Sequence, residues 1–288
     1  MLPLLAPSAH ADAILGTELA SFAVLGASTV TNTGATTLTG NLGVSPGKAI
    51  TGKATITVNG TNAAAIGNPS VHEADAFATL AQSQLVTAKT NLGLLGAGTL
   101  EPVDLVGLTL FPGVYTVPAG TSNLTGTLTL DGLGNANAGW VFQMPSTLIT
   151  SPGSVVNVIN TGAGAGVYWN VGSSATLDTT TSFEGNILAL ANITLNTGAT
   201  IGCGRALAHV EAVNMDTNTI SIGCSGILVG SNGLSGGFTV TTTPTGGTVV
   251  TPLPFVRVPE PSTWLLLSTG IAGLVVKVRM TRARARRA

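Results

Sequence analysis

Residues 139–222 carry one short phrase four times: Gly139-Trp-Val-Phe-Gln, Gly166-Val-Tyr-Trp-Asn, Gly185-Asn-Ile-Leu-Ala and Gly204-Arg-Ala-Leu-Ala. The glycines are 27, 19 and 19 residues apart, and Glu184-Gly-Asn-Ile-Leu-Ala aligns without a gap over Cys203-Gly-Arg-Ala-Leu-Ala. A second phrase follows the later copies: Thr176-Leu-Asp-Thr-Thr-Thr, Thr194-Leu-Asn-Thr-Gly-Ala-Thr and Asn214-Met-Asp-Thr-Asn-Thr. A period near 20 residues, built of short apolar runs broken by Gly, Asn and Thr, reads as a solenoid in which each period is one coil. A β-sandwich also places strands at short intervals. It would not hold the same residues in register at a shift of 19.

Composition agrees. Charged residues are only 8% of the chain, while Gly, Thr, Val and Ile are abundant, which favours strands over helices. Hydrophobic residues make up 44%, too many for a disordered chain. Between Asp12 and Val256 there are four basic and eleven acidic residues, a net −7 that argues against nucleic acid as a partner. Six basic residues gather instead at the end: Lys277, Arg279, Arg282, Arg284, Arg286 and Arg287.

Working outward, residues 14–60 read as opening coils, with Gly40-Asn-Leu-Gly-Val echoing the later phrase. Residues 70–92 break the pattern. Ser70 and Glu73 form a capping box, and Val71, Ala74, Ala78, Ala81, Leu85, Ala88 and Leu92 recur at helical spacing up to Gly93. The small residues predict a helix lying close against the solenoid. Leu124, Leu128 and Leu130 alternate with Thr and Gly and are expected to face inward. Residues 12–228 therefore form the solenoid domain, 229–257 a Ser/Gly/Thr/Pro-rich linker, and 258–288 a separate module. At the start, Ala9-His10-Ala11 follows a short apolar run and fits a cleavage site, so residues 1–11 read as a signal-peptide remnant. An apolar first strand is the alternative.

No metal-ligand spacing, nucleophile elbow or phosphate loop is present, and no cofactor or metal is expected. Asp178, Glu184, Glu211 and Asp216 are a thin constellation for a carbohydrate-cleaving β-helix, so the chain is not read as an enzyme. Cys203 and Cys224 lie about one coil apart. Successive coils stack about 4.8 Å apart, a reach that a disulfide accepts. Two free buried thiols are the alternative. The Thr phrases would place β-branched side chains with fixed hydroxyls and methyls in a grid able to order water. Thr also simply suits solvent-facing strands.

Two resemblances bear on this choice. Phe22-Ala-Val-Leu-Gly-Ala-Ser-Thr-Val-Thr-Asn-Thr-Gly, Leu42-Gly-Val-Ser-Pro-Gly, Pro112-Gly-Val-Tyr, Val171-Gly-Ser-Ser-Ala-Thr-Leu and Thr197-Gly-Ala-Thr-Ile-Gly-Cys-Gly-Arg-Ala-Leu-Ala together resemble the DUF3494-type ice-binding proteins, over roughly residues 14–225. The resemblance implies an all-β fold with one long helix: a right-handed, discontinuous β-helix of triangular cross-section, binding ice or ordered water through one flat face. The family's T-A/G-x-T/N motif falls on Thr33-Gly-Ala-Thr36 and Thr197-Gly-Ala-Thr200, and approximately on Thr179-Thr-Thr-Ser182 and Thr217-Asn-Thr219. The candidate ice-binding residues are therefore Thr33, Thr36, Thr179, Thr181, Thr197, Thr200, Thr217 and Thr219. The C-terminal module, with Pro259, Glu260 and Pro261, an apolar stretch from Trp264 to Val276 and an Arg-rich end, resembles a PEP-CTERM sorting signal. That implies export in a Gram-negative bacterium, a transient inner-membrane anchor, processing by an exosortase, and a final place at the cell surface or in the extracellular matrix. The chain is expected to act as a monomer, with extracellular polysaccharide as a further partner. A structural or adhesive matrix component without ice activity is the second reading.

Overall fold

The computed structural model describes residues 11–59, 71–243 and 245–258. The first ten residues, Ser70, Pro259, Glu260, Pro261 and the apolar and basic stretch beyond them lie outside the described residues. Up to Val256 the described residues form a three-sided β-solenoid of parallel strands with one α-helix alongside. A 15-stranded sheet supplies two sides and a six-stranded sheet the third.

The repeated phrase forms stacked strands, as its periodicity predicts. Gly139 pairs with Gly166 and Trp140 with Val167, while Glu184 pairs with Cys203 and Gly185 with Gly204. Between the second and third copies the shift is 18 rather than 19: Trp169 sits opposite Ile187. The inward residues of each coil build a column of like on like. Leu177, Leu195 and Met215 stack in register and are fully or nearly fully buried. Phe142 and Trp169 stack in nearly parallel planes with centroids 3.9 Å apart, flanked by Tyr115 and Phe183. A solenoid core grows by such repetition, because each coil can bury its apolar side only against its neighbours.

The coils do not stack in chain order. The strand Phe22–Gly26 lies beside Thr200–Ala208, with Leu25 opposite Leu207. On the other two sides, Val213–Asp216 pairs with Thr29–Thr33 and Thr219–Ser221 with Thr36–Thr39. The N-terminal coils thus continue the stack beyond the last C-terminal coil.

The helix, α1, runs Ala76–Gly93 rather than from residue 70. Its cap is Asp75, whose carboxylate accepts from the Ala78 N–H at 2.8 Å. Val71–Glu73 is instead a strand parallel to Asn41–Val44. His72 is buried against Phe22 and Phe77, and Ala74 turns the chain at φ 51°. Pairing Val71 with Leu42 and burying His72 outweighs one more helical turn. The stripe that remains, Ala78, Ala81, Leu85, Ala88 and Leu92, packs on Leu25, Val141, Tyr168, Leu188 and Leu207. Lys89 fixes the helix from the side, donating to the carbonyls of Val171 and Leu188 and to Asn170 Oδ1. Removal of its ammonium from water pulls its pKa down to about 8.

The stretch 229–257 is not a loose linker. Leu234 and Phe238 are buried, and Phe238–Thr242 forms an antiparallel sheet with Thr248–Pro252 and Ala11–Ala13. Its Thr-rich composition masks β-strands whose apolar anchors are few but well placed. The end of this segment is tied to a coil turn: Ala136 N–H donates to the Val256 carbonyl at 2.6 Å.

Candidate ice-binding face

On the outer side of one half of the long sheet, hydroxyl-bearing residues fall into a column. Thr57 lies opposite Thr37, Thr37 opposite Thr219, and Thr219 opposite Thr200. Thr200 in turn lies opposite Ser182, Ser182 opposite Val155, and Val155 opposite Thr127. Seven neighbouring coils thus present five hydroxyls in an unbroken row, then one valine and a sixth hydroxyl. In-register parallel strands space such a row at roughly 4.8 Å. The strand pleat explains the placement. Each outward residue is followed by an apolar one that points inward, Leu38, Ile220, Ile201 and Phe183 among them. Among the described residues, the Thr57, Thr37, Thr219 and Ser182 hydroxyls make no hydrogen bond to protein, so they face water with their donors and acceptors free.

The edge beside this column, where the six-stranded sheet turns into it, holds the rest of the Thr set. Thr33, Thr197 and Thr217 are exposed there and Thr179 is half-buried. The hydroxyls of Thr197 and Thr217 both donate to the Asp216 carboxylate. Each corner needs one residue in the left-handed region. Gly34 and Gly198 fill it at φ 72° and 74°, whereas Thr217 and Thr180 adopt φ 54° and 57°. A β-branched residue pays conformational strain there that glycine avoids.

Two expected site residues do not reach the surface. Thr36 and Thr181 are buried. The Thr36 hydroxyl donates to Asn32 Oδ1 at 2.6 Å, and the Thr181 hydroxyl pairs with that of Thr150 at 2.8 Å. The two Thr-Gly-Ala-Thr copies are out of step by one residue, since Thr200 aligns through Thr219 with Thr37, not Thr36. The motif does not reach Thr37 or Thr57, and Ser182, the last position of the approximate copy Thr179-Thr-Thr-Ser182, takes the outward place expected of Thr181. The alternation of Thr37-Leu38-Thr39 and Thr57-Val58-Asn59 is the signal that finds Thr37 and Thr57.

A model of the ice-binding-like family matches residues 24–221. The chain belongs to the ice-binding-like family. A second model, the PEP-CTERM protein-sorting motif, matches residues 257–280. An ice-binding protein of Nostoc sp. (strain HG1) is 48% identical over 212 residues, which cover 73% of this chain and 74% of that one. The crystal structure of an ice binding protein from an Antarctic biological consortium superposes with a TM-score of 0.65 at 39% identity, covering 77% of this chain and 95% of that one. That of the Antarctic ascomycete Antarctomyces psychrotrophicus gives 0.65 at 36% identity, covering 72% and 97%. These likenesses include the β-solenoid.

Within this ice-binding-like fold the two cysteines are joined: Cys203 and Cys224 form a disulfide with Cα atoms 4.9 Å apart. The carboxylates are engaged locally. Asp178 accepts from Asn196 at 2.9 Å and from the Thr179 N–H, bonds that hold its pKa below the usual value. Glu211 accepts from Asn192. Glu184 is largely buried, one of its oxygens has no hydrogen-bond partner among the described residues, and desolvation pushes its pKa up to about 7. Among the described residues no group of three or more His, Cys, Asp or Glu is placed to hold a metal ion.

Proposed function

We propose that this exported protein adsorbs to ice through the column Thr57–Thr37–Thr219–Thr200–Ser182 and the adjoining edge with Thr33, Thr179, Thr197 and Thr217, and so limits ice growth or recrystallisation. The observation that carries this reading is the row of five hydroxyls held in register over successive coils, four of them (Thr57, Thr37, Thr219 and Ser182) without a protein partner among the described residues and four of the five residues bringing a methyl beside the hydroxyl. Rigid β-branched side chains at a fixed repeat hold surface water with little further loss of entropy on docking. No charged residue lies in the column. Membership of a family whose relatives are named ice-binding proteins supports the same reading.

The test is ice recrystallisation inhibition with variants of two faces. Thr200→Tyr and Thr219→Tyr are expected to abolish most activity while the fold persists by circular dichroism. Thr176→Tyr and Thr194→Tyr, on the outer side of the six-stranded sheet, are expected to leave it. The reverse result moves the site to that sheet, and wild-type protein without activity removes the proposal.

The match to the sorting motif supports export by way of the C-terminal module. We infer processing there by an exosortase after a transient anchor in the inner membrane of a Gram-negative bacterium, with release to the cell surface or matrix as a monomer. Among the described residues no helix is long and apolar enough to cross a membrane. A role in an extracellular polysaccharide matrix is the second reading, favoured by the same sorting motif.

A further inference from the structure

A cleft of about 720 Å³ opens between α1, the residues that follow Ala11–Ala13 and the C-terminal antiparallel sheet. We propose that it binds a neutral saccharide unit of one or two rings. The proposal is independent of the ice-binding reading, because α1 and the threonine column lie on different sides of the solenoid.

The lining carries the argument. Asn91 on α1 is only 8% exposed, and its side-chain amide has no protein partner among the described residues. The amide's polar atoms keep contact with the water of the cleft, so its donors and acceptor are open to a ligand that enters. It offers two donors and one acceptor, the complement of a pair of sugar hydroxyls. Thr17, Ser235, Thr242 and Thr248 add hydroxyls around the rim that likewise make no side-chain hydrogen bond to described protein groups. Between them, Ala13, Ala20 and Val240 give apolar surface suited to the C–H face of a pyranose ring.

The same lining excludes other ligands. It contains no Lys, Arg or His to draw a phosphate or carboxylate, and no Asp or Glu to hold a cation. Its hydroxyls and amides would be left unpaired by a lipid chain. The volume falls within the range of small-molecule sites and admits a disaccharide. The cleft is also fixed rather than loose. Gln84 on α1 accepts from the Leu19 N–H at 2.8 Å, and Asn232 accepts from Arg205 at 3.0 Å. A protein holding a matrix glycan here keeps its threonine column free.

The test is isothermal titration of the purified protein with cellobiose and with maltose, and with digalacturonate as the charged control. Saturable binding of at least one neutral disaccharide, with digalacturonate inert, is expected. Asn91→Leu should weaken that binding about tenfold or more, the effect of one good hydrogen-bonding group. Thr87→Trp, at an exposed position of α1 that also lines the cleft, should block it sterically without touching the core. Both variants should keep wild-type ice recrystallisation inhibition. Failure of both neutral disaccharides to bind overturns the proposal. So does binding that survives both substitutions, or equal binding of digalacturonate.

Discussion

Asn218 donates its backbone N–H to the hydroxyl of Thr36 at 3.0 Å, across 182 positions of sequence. The bond lies at the junction where the first coil stacks on the last. Thr36→Val keeps the shape but leaves the Asn218 N–H unpaired in a dry site. A loss of about 1–3 kcal/mol in unfolding free energy is expected. Chemical denaturation measures it, and ice recrystallisation inhibition per folded molecule should be unchanged. Loss of that activity at full stability would return Thr36 to the surface.

Arg205 is fully buried and has no carboxylate partner among the described residues. Its guanidinium instead joins three distant segments, donating to Ala20 O, Asn186 Oδ1 and Gly233 O. Burial lowers its pKa to about 10, so it stays charged at neutral pH. Arg205→Leu strands these acceptors and is expected to cost about 3 kcal/mol or more. Arg205→Lys should recover only part of this, since one ammonium cannot reproduce the planar fork. A melting temperature for Arg205→Lys equal to wild type would contradict the role given to that geometry.

Glu184 supplies a pH dependence of definite sign. Its folded pKa of about 7 lies above the ordinary value of 4.5, so the folded state holds a proton that the unfolded state has released in that window. Its contribution is complete below the lower value and is lost as pH rises through about 7. Glu184→Gln should match wild type near the lower end of the window and exceed it at pH above the upper end, by up to about 3 kcal/mol. Parallel thermal melts across the window measure the difference, and a constant gap would refute the assignment.

The Cys203–Cys224 disulfide spans 21 residues, one coil. By the loop-closure relation its removal should cost about 3 kcal/mol. Melting of Cys203→Ala/Cys224→Ala, or of wild type under reductant, should show the loss, with hydrogen exchange rising first in the coil around Thr219–Ser221. No change in either would mean that the parallel pairing alone holds that coil.

The legibility of the fold varied with the reach of the interaction. The repeat at Gly139, Gly166, Gly185 and Gly204 predicts stacked coils because a solenoid writes nearest-neighbour contacts at a constant spacing. The small-residue stripe of α1 is visible for a similar reason, being a local period. Its start is not: Ser70 and Glu73 satisfy the capping rule, yet Val71 and His72 gain more by pairing with Leu42 and Gly43. The segment 229–257 reads as a linker because its strands pair antiparallel with each other and with residues 11–13, which no spacing records.

The candidate face divides in the same way. Sequence alone determines that this chain is a Thr-rich solenoid with two cysteines about one coil apart, because each of these is a short-period or composition signal; the structure shows that they are bonded. Only the tertiary structure decides which threonines face water. One extra residue at a corner reverses inside and outside, as the pleat alternates with a period of two. That is why Thr200 and Thr37 share the surface while Thr36, identical to Thr200 by motif, closes the junction between the first coil and the last.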